Sequence, residues 1–323
     1  MTWVLVKKLL RDIRIPLLVV GALGVLFQCL WVKITQRMVV ELSPLFATIA
    51  ERAGILQEQF ERILFQGPGK LVQTLAGGEN VRFERAMDML SIGYVHPIVQ
   101  TVMCIWAIGR AAAAITGEID RGTMELLAAQ PIPRKRIIYA HLCVDAIVLP
   151  LLALCLWGGT LLGYRIFGPF EVSLAEAQSR LADLPFKIVV DPQLLKVDTI
   201  RILPALGNVI GLMFAVSGVT MAISAAGRFR GRVLGAAILV FLVMFLINLI
   251  GQLWDAVAFA RPFTLFYYYQ PQAIILSNKW WVNFSVGSFS WPVNVAVVLF
   301  GVGAIGYATA LWLFSRRDLP APL

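Results

Sequence analysis

The most informative segment of this largely apolar chain runs from Gly117 to Arg136, GEIDRGTMELLAAQPIPRKR. Glu118, Arg121 and Glu125 recur at i, i+3 and i+7, the spacing of one face of a short helix, and Met124, Leu126 and Leu127 supply apolar knobs. Gly117 lets a preceding helix end. Pro131 and Pro133 stop the short one, because proline lacks an amide donor and clashes with the turn before it. The chemistry on offer is grip: charges and knobs on a rigid element that a second protein could hold and through which force could pass. A well-capped connecting loop is the other use of the same residues.

Covalent chemistry finds little support elsewhere. Cys29, Cys104, Cys143 and Cys155 all lie inside apolar runs, without the paired spacing of a disulfide framework or a zinc site. His96 and His141 sit at opposite ends of their apolar runs with no evident ligand partners, and no Ser/His, paired-Asp or metal constellation is expected at depth. A phosphate cradle needs backbone amides at a strand-to-helix turn with a Lys and a magnesium-binding hydroxyl, in the pattern G-x-x-x-x-G-K-[ST]. The nearest approach, Gly67-Pro68-Gly69-Lys70, lacks both the spacing and the hydroxyl. The chain is therefore expected to bind no cofactor and to hydrolyse no nucleotide itself.

The elements that would present the 117–136 segment are membrane spans. Of the 323 residues 59% are hydrophobic and 15% charged, with a mean hydropathy of +0.78, whereas a soluble domain carries about 25% charged residues. Six runs reach the roughly 20 residues that cross about 30 Å of hydrocarbon, near 15–32, 92–116, 142–164, 202–227, 233–254 and 292–314. The fold expected is an all-α membrane protein, one permease-like domain over 1–323. The basic, then apolar, amino terminus has no small-residue cleavage site after Trp31, so the first span reads as retained. Before it, Trp3, Val6, Leu10 and Ile13 share one helical face and Lys7, Lys8, Arg11 and Arg14 the other, as in an amphipathic helix lying in the headgroup layer.

Charge sets the orientation. With six spans both termini share a face, and that face, counting Arg110 and Asp145, holds 14 of the 28 Lys and Arg against 6 acids, a balance of +8, while the opposite face carries only +1. Positive charge in short loops marks the cytoplasmic side, so both termini are expected there. The sequence pI of 9.7 then reflects topology, and nucleic acid is not an expected partner.

The first outer loop, 33–91, is long and has helical spacing over Ile55, Leu56, Phe60, Ile63 and Leu64; its Leu64–Pro68, LFQGP, coincides with the core of a viral protease site. The third outer loop, 255–291, is dense in Phe, Tyr and Trp and predicts short helices at the outer leaflet before the last span. Gln28, Asn208, Asn248, Gln252 and Asn294 are expected to join helices through their amides, and Asp145 and Asp255 to be hydrated near span ends.

The run GEIDRGTMELLAAQPIPR resembles the signature loop of type-2 ABC exporter permeases, in which a glycine and an acid precede Gly-Thr, an acidic-Leu-Leu step and a Pro-x-x-Arg close; LFSRRDLP near residue 320 is similar to the end of many such chains. The resemblance implies a membrane-spanning subunit whose coupling helix, 118–127 (Glu118, Asp120, Arg121, Thr123, Met124, Glu125, Leu126, Leu127), seats in a separate ATPase that binds ATP and magnesium. It further implies an interface helix carrying Trp3, Lys7, Lys8 and Arg11. The implied setting is the inner membrane of a prokaryote, with lipids and a second permease copy or paralogue as partners, and export of a substrate as the function. The long loop 33–91 leaves room for an extracytoplasmic partner, and for the other reading: a mechanical subunit that transmits ATPase-driven motion without moving a solute.

Overall fold

A computed structural model describes residues 2–42, 54, 85–124, 133–170, 195–286 and 289–316. Six helical segments are long and apolar enough to cross a membrane. They are α1 (Thr2–Arg37), the pair α2 (Ala86–Val95) and α3 (Pro97–Asp120), α4 (Arg134–Phe167), α5 (Leu203–Ala226), α6 (Arg230–Leu253) and, after α7 (Pro271–Ser277) and a hairpin, α8 (Val295–Arg316). Both ends of the described chain, and the connections α3–α4 and α5–α6, lie at one end of the bundle, the terminal end. The chain thus folds as the all-α, six-span membrane protein that its hydropathy implies.

Three boundaries differ from the expectation. The amphipathic stretch 2–14 is not a separate helix: α1 runs unbroken through Pro16, and its 36 residues reach about 54 Å, well beyond the hydrocarbon. Its stripe packs inward, with Val6 buried, although Trp3 stays exposed with the Lys7 ammonium over its ring. The second span breaks at His96 (φ −59°, ψ 133°), since a residue before proline is pushed out of the helical region and Pro97 then begins α3 where its missing amide does no harm. The third concerns Gly117, which does not end that span; α3 continues to Asp120.

Close helix pairs are made by glycine. Along α1–α4 a Cβ on Gly159 would sit 2.5 Å from the Val25 carbonyl oxygen, and one on Gly163 would sit 3.0 Å from the Cys29 carbonyl oxygen. Along α5–α8 a Cβ on Gly218 would lie 2.3 Å from the Gly303 carbonyl oxygen. Lipid is as apolar as leucine, so spans associate through such close backbone approach and through polar contacts. By contrast α6 buries only Val233, Ala237, Phe241, Asn248 and Gly251 and offers Leu239, Leu242, Leu246 and Ile250 outward.

Away from the terminal end, amides and hydroxyls tie irregular backbone to the spans. Gln28 Nε2 donates to Gly93 O (3.0 Å), Trp31 Nε1 to Met89 O (3.0 Å), and the Tyr94 and Thr160 hydroxyls pair at 2.7 Å. Asn208 holds the aromatic segment, donating to Tyr268 O (2.9 Å) and accepting from Gln270 N (2.8 Å). That segment contains the short helices expected, the 3-10 turns Asp255–Phe263 and Leu265–Tyr268 and then α7. It also contains an antiparallel hairpin that was not foreseen, β1 (Trp281–Val286) with β2 (Phe289–Asn294), pairing Ser285 with Ser290 and Phe284 with Trp291. Most of the loop 33–91 lies outside the described residues.

The glycine contacts predict an asymmetric response. Gly218→Ala forces backbone apart and should destabilise the bundle by about 1–3 kcal/mol, read as a lower unfolding midpoint in mixed micelles titrated with SDS. Gly301→Ala on α8, with open space around it, should be neutral or slightly stabilising. Equal midpoints for the two variants would contradict the packing described.

Candidate functional site

At the terminal end, α3 closes in a glycine turn. Gly122 adopts φ +68°, a left-handed conformation that favours glycine after a helix end, and helical geometry resumes only at Thr123. Glu118 stitches this turn: its Oε1 accepts from Arg121 Nη2 (2.5 Å) and its Oε2 from Thr123 Oγ1 (2.5 Å). Asp120 reaches across to the other connection, its Oδ2 accepting from Arg230 N (2.8 Å). That amide is an orphan donor in the first turn of α6, where a carboxylate also meets the positive end of the helix dipole.

Among the described residues the helix expected from Glu118 onward is interrupted, the turn at Arg121–Gly122 separating Glu118 from the helical Thr123 and Met124. Glu118 and Asp120 belong to the last turn of α3, and the break at Gly122 separates them from Thr123 and Met124. Met124 is no outward knob either: it is buried among Ile115, Ile138, Ala225 and Phe314, pinning the segment to the bundle. Asp120 and Arg121 are exposed; Glu125, Leu126 and Leu127 lie outside the described residues. Lys8 of α1 and Glu118 line one small crevice with Ala114 and His141, which sets the basic face of α1 beside the turn. Trp3, Lys7, Lys8 and Arg11 all remain exposed on α1.

Deeper lies a polar cluster that charge counting misplaced. Arg110 on α3 forms an ion pair with Asp145 on α4; the Asp145 carboxylate also accepts from Ser217 Oγ of α5 (2.5 Å) and from the Tyr307 hydroxyl of α8. Arg110 Nη2 donates to His141 O (3.3 Å) and Tyr307 Oη (3.4 Å), and its Nη1 lies 3.2 Å from His141 Nδ1, which as partner of a guanidinium accepts. All five side chains are buried, and Asp145 has no exposed surface. Arg110, Asp145, Ser217 and Tyr307 each stand 9 to 11 residues from the terminal end of their helices, about 14–16 Å at 1.5 Å per residue. Neither charge is the hydrated, near-surface group expected. The available signal was a lone Arg and a lone Asp at matching depth in successive spans, charges that stay in a bilayer only when paired.

The cluster does not make a hydrolytic centre: Ser217 donates to a carboxylate, and His141 faces a guanidinium. Among the described residues no group of His, Cys, Asp and Glu could hold a metal ion. What the arrangement can do is lock four spans at one depth while α3 carries its exposed end to the surface.

Residues 30–319 match the family model described as ABC-2 family transporter protein. The chain belongs to that family and is the membrane-spanning permease component of an ABC transporter, a class that works with an ABC ATPase subunit. Searches of curated proteins and of solved structures find no match.

Removing one partner of the deep pair strands the other charge, a loss of about 3–5 kcal/mol for a buried pair. Asp145→Asn should lower the SDS unfolding midpoint strongly, whereas the double variant Arg110→Met, Asp145→Leu should recover much of the loss. A double variant as weak as the sum of its two single variants would show that the pair is not coupled.

Proposed function

We propose that this permease couples ATP hydrolysis on a separate ATPase, which binds the ATP and magnesium, to export of a substrate across the inner membrane of a prokaryote, working with a second permease copy or paralogue. The observation that carries this reading is the turn at Gly122. It is stitched by Glu118, tied to α6 by Asp120 and anchored by Met124, so a load applied to the exposed Asp120–Arg121 end is passed to α3 and α6 together. The basic face of α1 beside it (Lys7, Lys8, Arg11) provides a second contact for the ATPase and for anionic lipid.

Charge supports a cytoplasmic terminal end. Moving Arg110 and Asp145 from the surface into the membrane removes one cation and one anion, so the balance there stays at +8. The orientation has a direct test: a viral protease that recognises LFQGP at Leu64–Pro68 should cut this chain in intact spheroplasts from outside. Cleavage confined to inside-out vesicles would reverse the topology.

Purification from native membranes should bring down a soluble ATPase in equal stoichiometry with this chain. Arg121→Glu places like charge beside Glu118 and reverses an exposed contact; the loss of about 2–5 kcal/mol at a charged interface corresponds to at least ~25-fold weaker ATPase retention. Lys7→Glu should be milder, about fivefold, as headgroup-level charges contribute about 1 kcal/mol each. A monodisperse complex lacking any nucleotide-binding protein would count against the coupling reading. Parent-like retention and turnover in Arg121→Glu would remove the turn from the interface.

A further inference from the structure

Among the described residues of the other spans, exposed charge is confined to the first and last turns, whereas α1 carries it about three turns in. Lys7, Arg11, Arg14 and Leu18 recur at i, i+4, i+7 and i+11, a single line down one side of the helix, and all four are exposed, Leu18 at 72%. Lys8 turns toward the crevice that it shares with Glu118, and Asp12 is exposed beside the line. The Lys7 ammonium lies over the Trp3 ring, and among the described residues neither Arg11 nor Arg14 is in an ion pair.

The register of α1 on α4 gives these charges a depth. Gly21 meets Cys155, Gly159 meets Val25 and Gly163 meets Cys29, all in step, and nearer the termini Leu5, Lys8 and Leu9 share their crevice with Ile137, Ala140 and His141. The same register sets Arg11 level with Asp145 and Arg14 level with Val148, about 16 and 21 Å from the start of α4 at Arg134. The two helices therefore present opposite chemistry at one depth: α4 turns Cys143, Ile147 and Leu151 outward where α1 turns Arg11 and Arg14 outward.

A cation at hydrocarbon depth needs water or a counter-charge, and the length of its own side chain does not return Arg14 to the membrane surface. The bilayer yields instead, thinning locally so that headgroups and water reach the charge. Directly beyond Arg14 the exposed face of α1 continues as Ile15, Leu18, Val19 and Leu23. Cations nearer the terminal end and apolar side chains farther in follow the order of headgroup and acyl chain in a lipid of the terminal-side leaflet.

We propose that Lys7, Arg11 and Arg14 form a recessed site for the phosphate of an anionic lipid of that leaflet, whose acyl chains run along Ile15, Leu18 and Leu23. Phosphate oxygens match the donor fork of a guanidinium. A lipid supplies them because the line of charge faces outward and continues into apolar surface. The site goes beyond a surface contact of the basic face, which draws no headgroup into the hydrocarbon, and it does not depend on coupling to an ATPase.

Two readouts on the full chain test the site. In nanodiscs of equal phosphatidylglycerol and phosphatidylcholine, native mass spectrometry of the otherwise unaltered chain should find phosphatidylglycerol retained at least tenfold over phosphatidylcholine. The double variant Arg11→Gln, Arg14→Gln should remove that preference without lowering the SDS unfolding midpoint, whereas Lys135→Gln with Arg136→Gln, the same loss of charge at the surface end of α4, should keep it. Depth is read by a spin label at Ile15→Cys and, separately, at Ile147→Cys, with the four native cysteines replaced by alanine. The label on α1 should collide with a water-soluble nickel chelate at least fivefold more often than the label on α4, and adding Arg11→Gln and Arg14→Gln should erase the difference. Equal retention of the two lipids, or displacement of phosphatidylglycerol by millimolar glycerol phosphate, would overturn the lipid site. Both labels in oxygen-rich hydrocarbon, or both in water, would overturn the recess, the second because the membrane surface would then lie beyond Arg14. Neither readout contains an ATPase, so a failure of the coupling reading leaves both results standing.

Discussion

A guanidinium and a carboxylate with almost no contact with water, held together at membrane depth, constrain everything else in this bundle. Arg110 and Asp145 are tolerable there only as a pair, and most of their other polar contacts come from neighbouring spans, Ser217 from α5, Tyr307 from α8 and the His141 carbonyl from α4, with the buried Arg110 Nε left without a hydrogen-bond partner. Separating α3 from α4 at that depth strands both charges in a medium that cannot solvate them, and withdrawing α5 or α8 takes a hydroxyl donor from Asp145. The glycine contact of α5 with α8 reinforces the same unit, because Gly218 and Gly303 leave no space for the two helices to slide apart and repack. α3, α4, α5 and α8 therefore form a body; α1 is fastened to it through the Gly159 and Gly163 approach, and α6 keeps most of its side chains outward.

The turn at the terminal end gains its meaning from this body. Arg121 is exposed, yet Glu118 and Thr123 fix the loop geometry and Met124 roots it among side chains of α3, α4, α5 and α8. Thr116 N donates to Ser224 Oγ (3.4 Å), which in turn donates to Ala112 O (3.1 Å), so α3 and α5 are joined again one turn above the loop. A partner that displaces Arg121 does not bend a free segment; it loads a helix end already bonded to two others.

The spans themselves were legible in the sequence because twenty-residue apolar runs have few alternative uses, and the 117–136 segment stood out because charge there interrupts such runs. The failures have physical causes. Helical periodicity over 118–127 was sound as pattern, but a glycine at position 122 can take the left-handed conformation, and periodicity does not register a break of one residue. Arg110 and Asp145 were assigned to the surface because hydropathy treats each charge singly; pairing across spans is a property of the fold. The hairpin 281–294 alternates Phe284, Phe289 and Trp291 against Asn283, Ser285 and Ser290, a period-two signal submerged in the general aromatic density of that loop. A crevice that brings the amides of Gln100 on α3 and Gln252 on α6 together was invisible for the same reason as the ion pair, since the two are far apart in sequence.

One helix touches three polar places. Over 24 residues, about 36 Å, α3 begins at Pro97 and Gln100 on the amide crevice, passes Arg110 and finishes at Glu118 and Asp120 in the turn. Its far end is free of a continuous helical connection to α2, because the His96–Pro97 break interrupts the backbone ladder. α2 is meanwhile fixed to α1, α4 and the aromatic segment by Gln28, Trp31, Thr160 and the Tyr269 hydroxyl, which donates to Tyr94 O at 2.6 Å. One continuous helix thus joins the turn at one end to the crevice lined by Pro97 and Gln100 at the other, and between them Arg110 fixes its middle to α4 and α8.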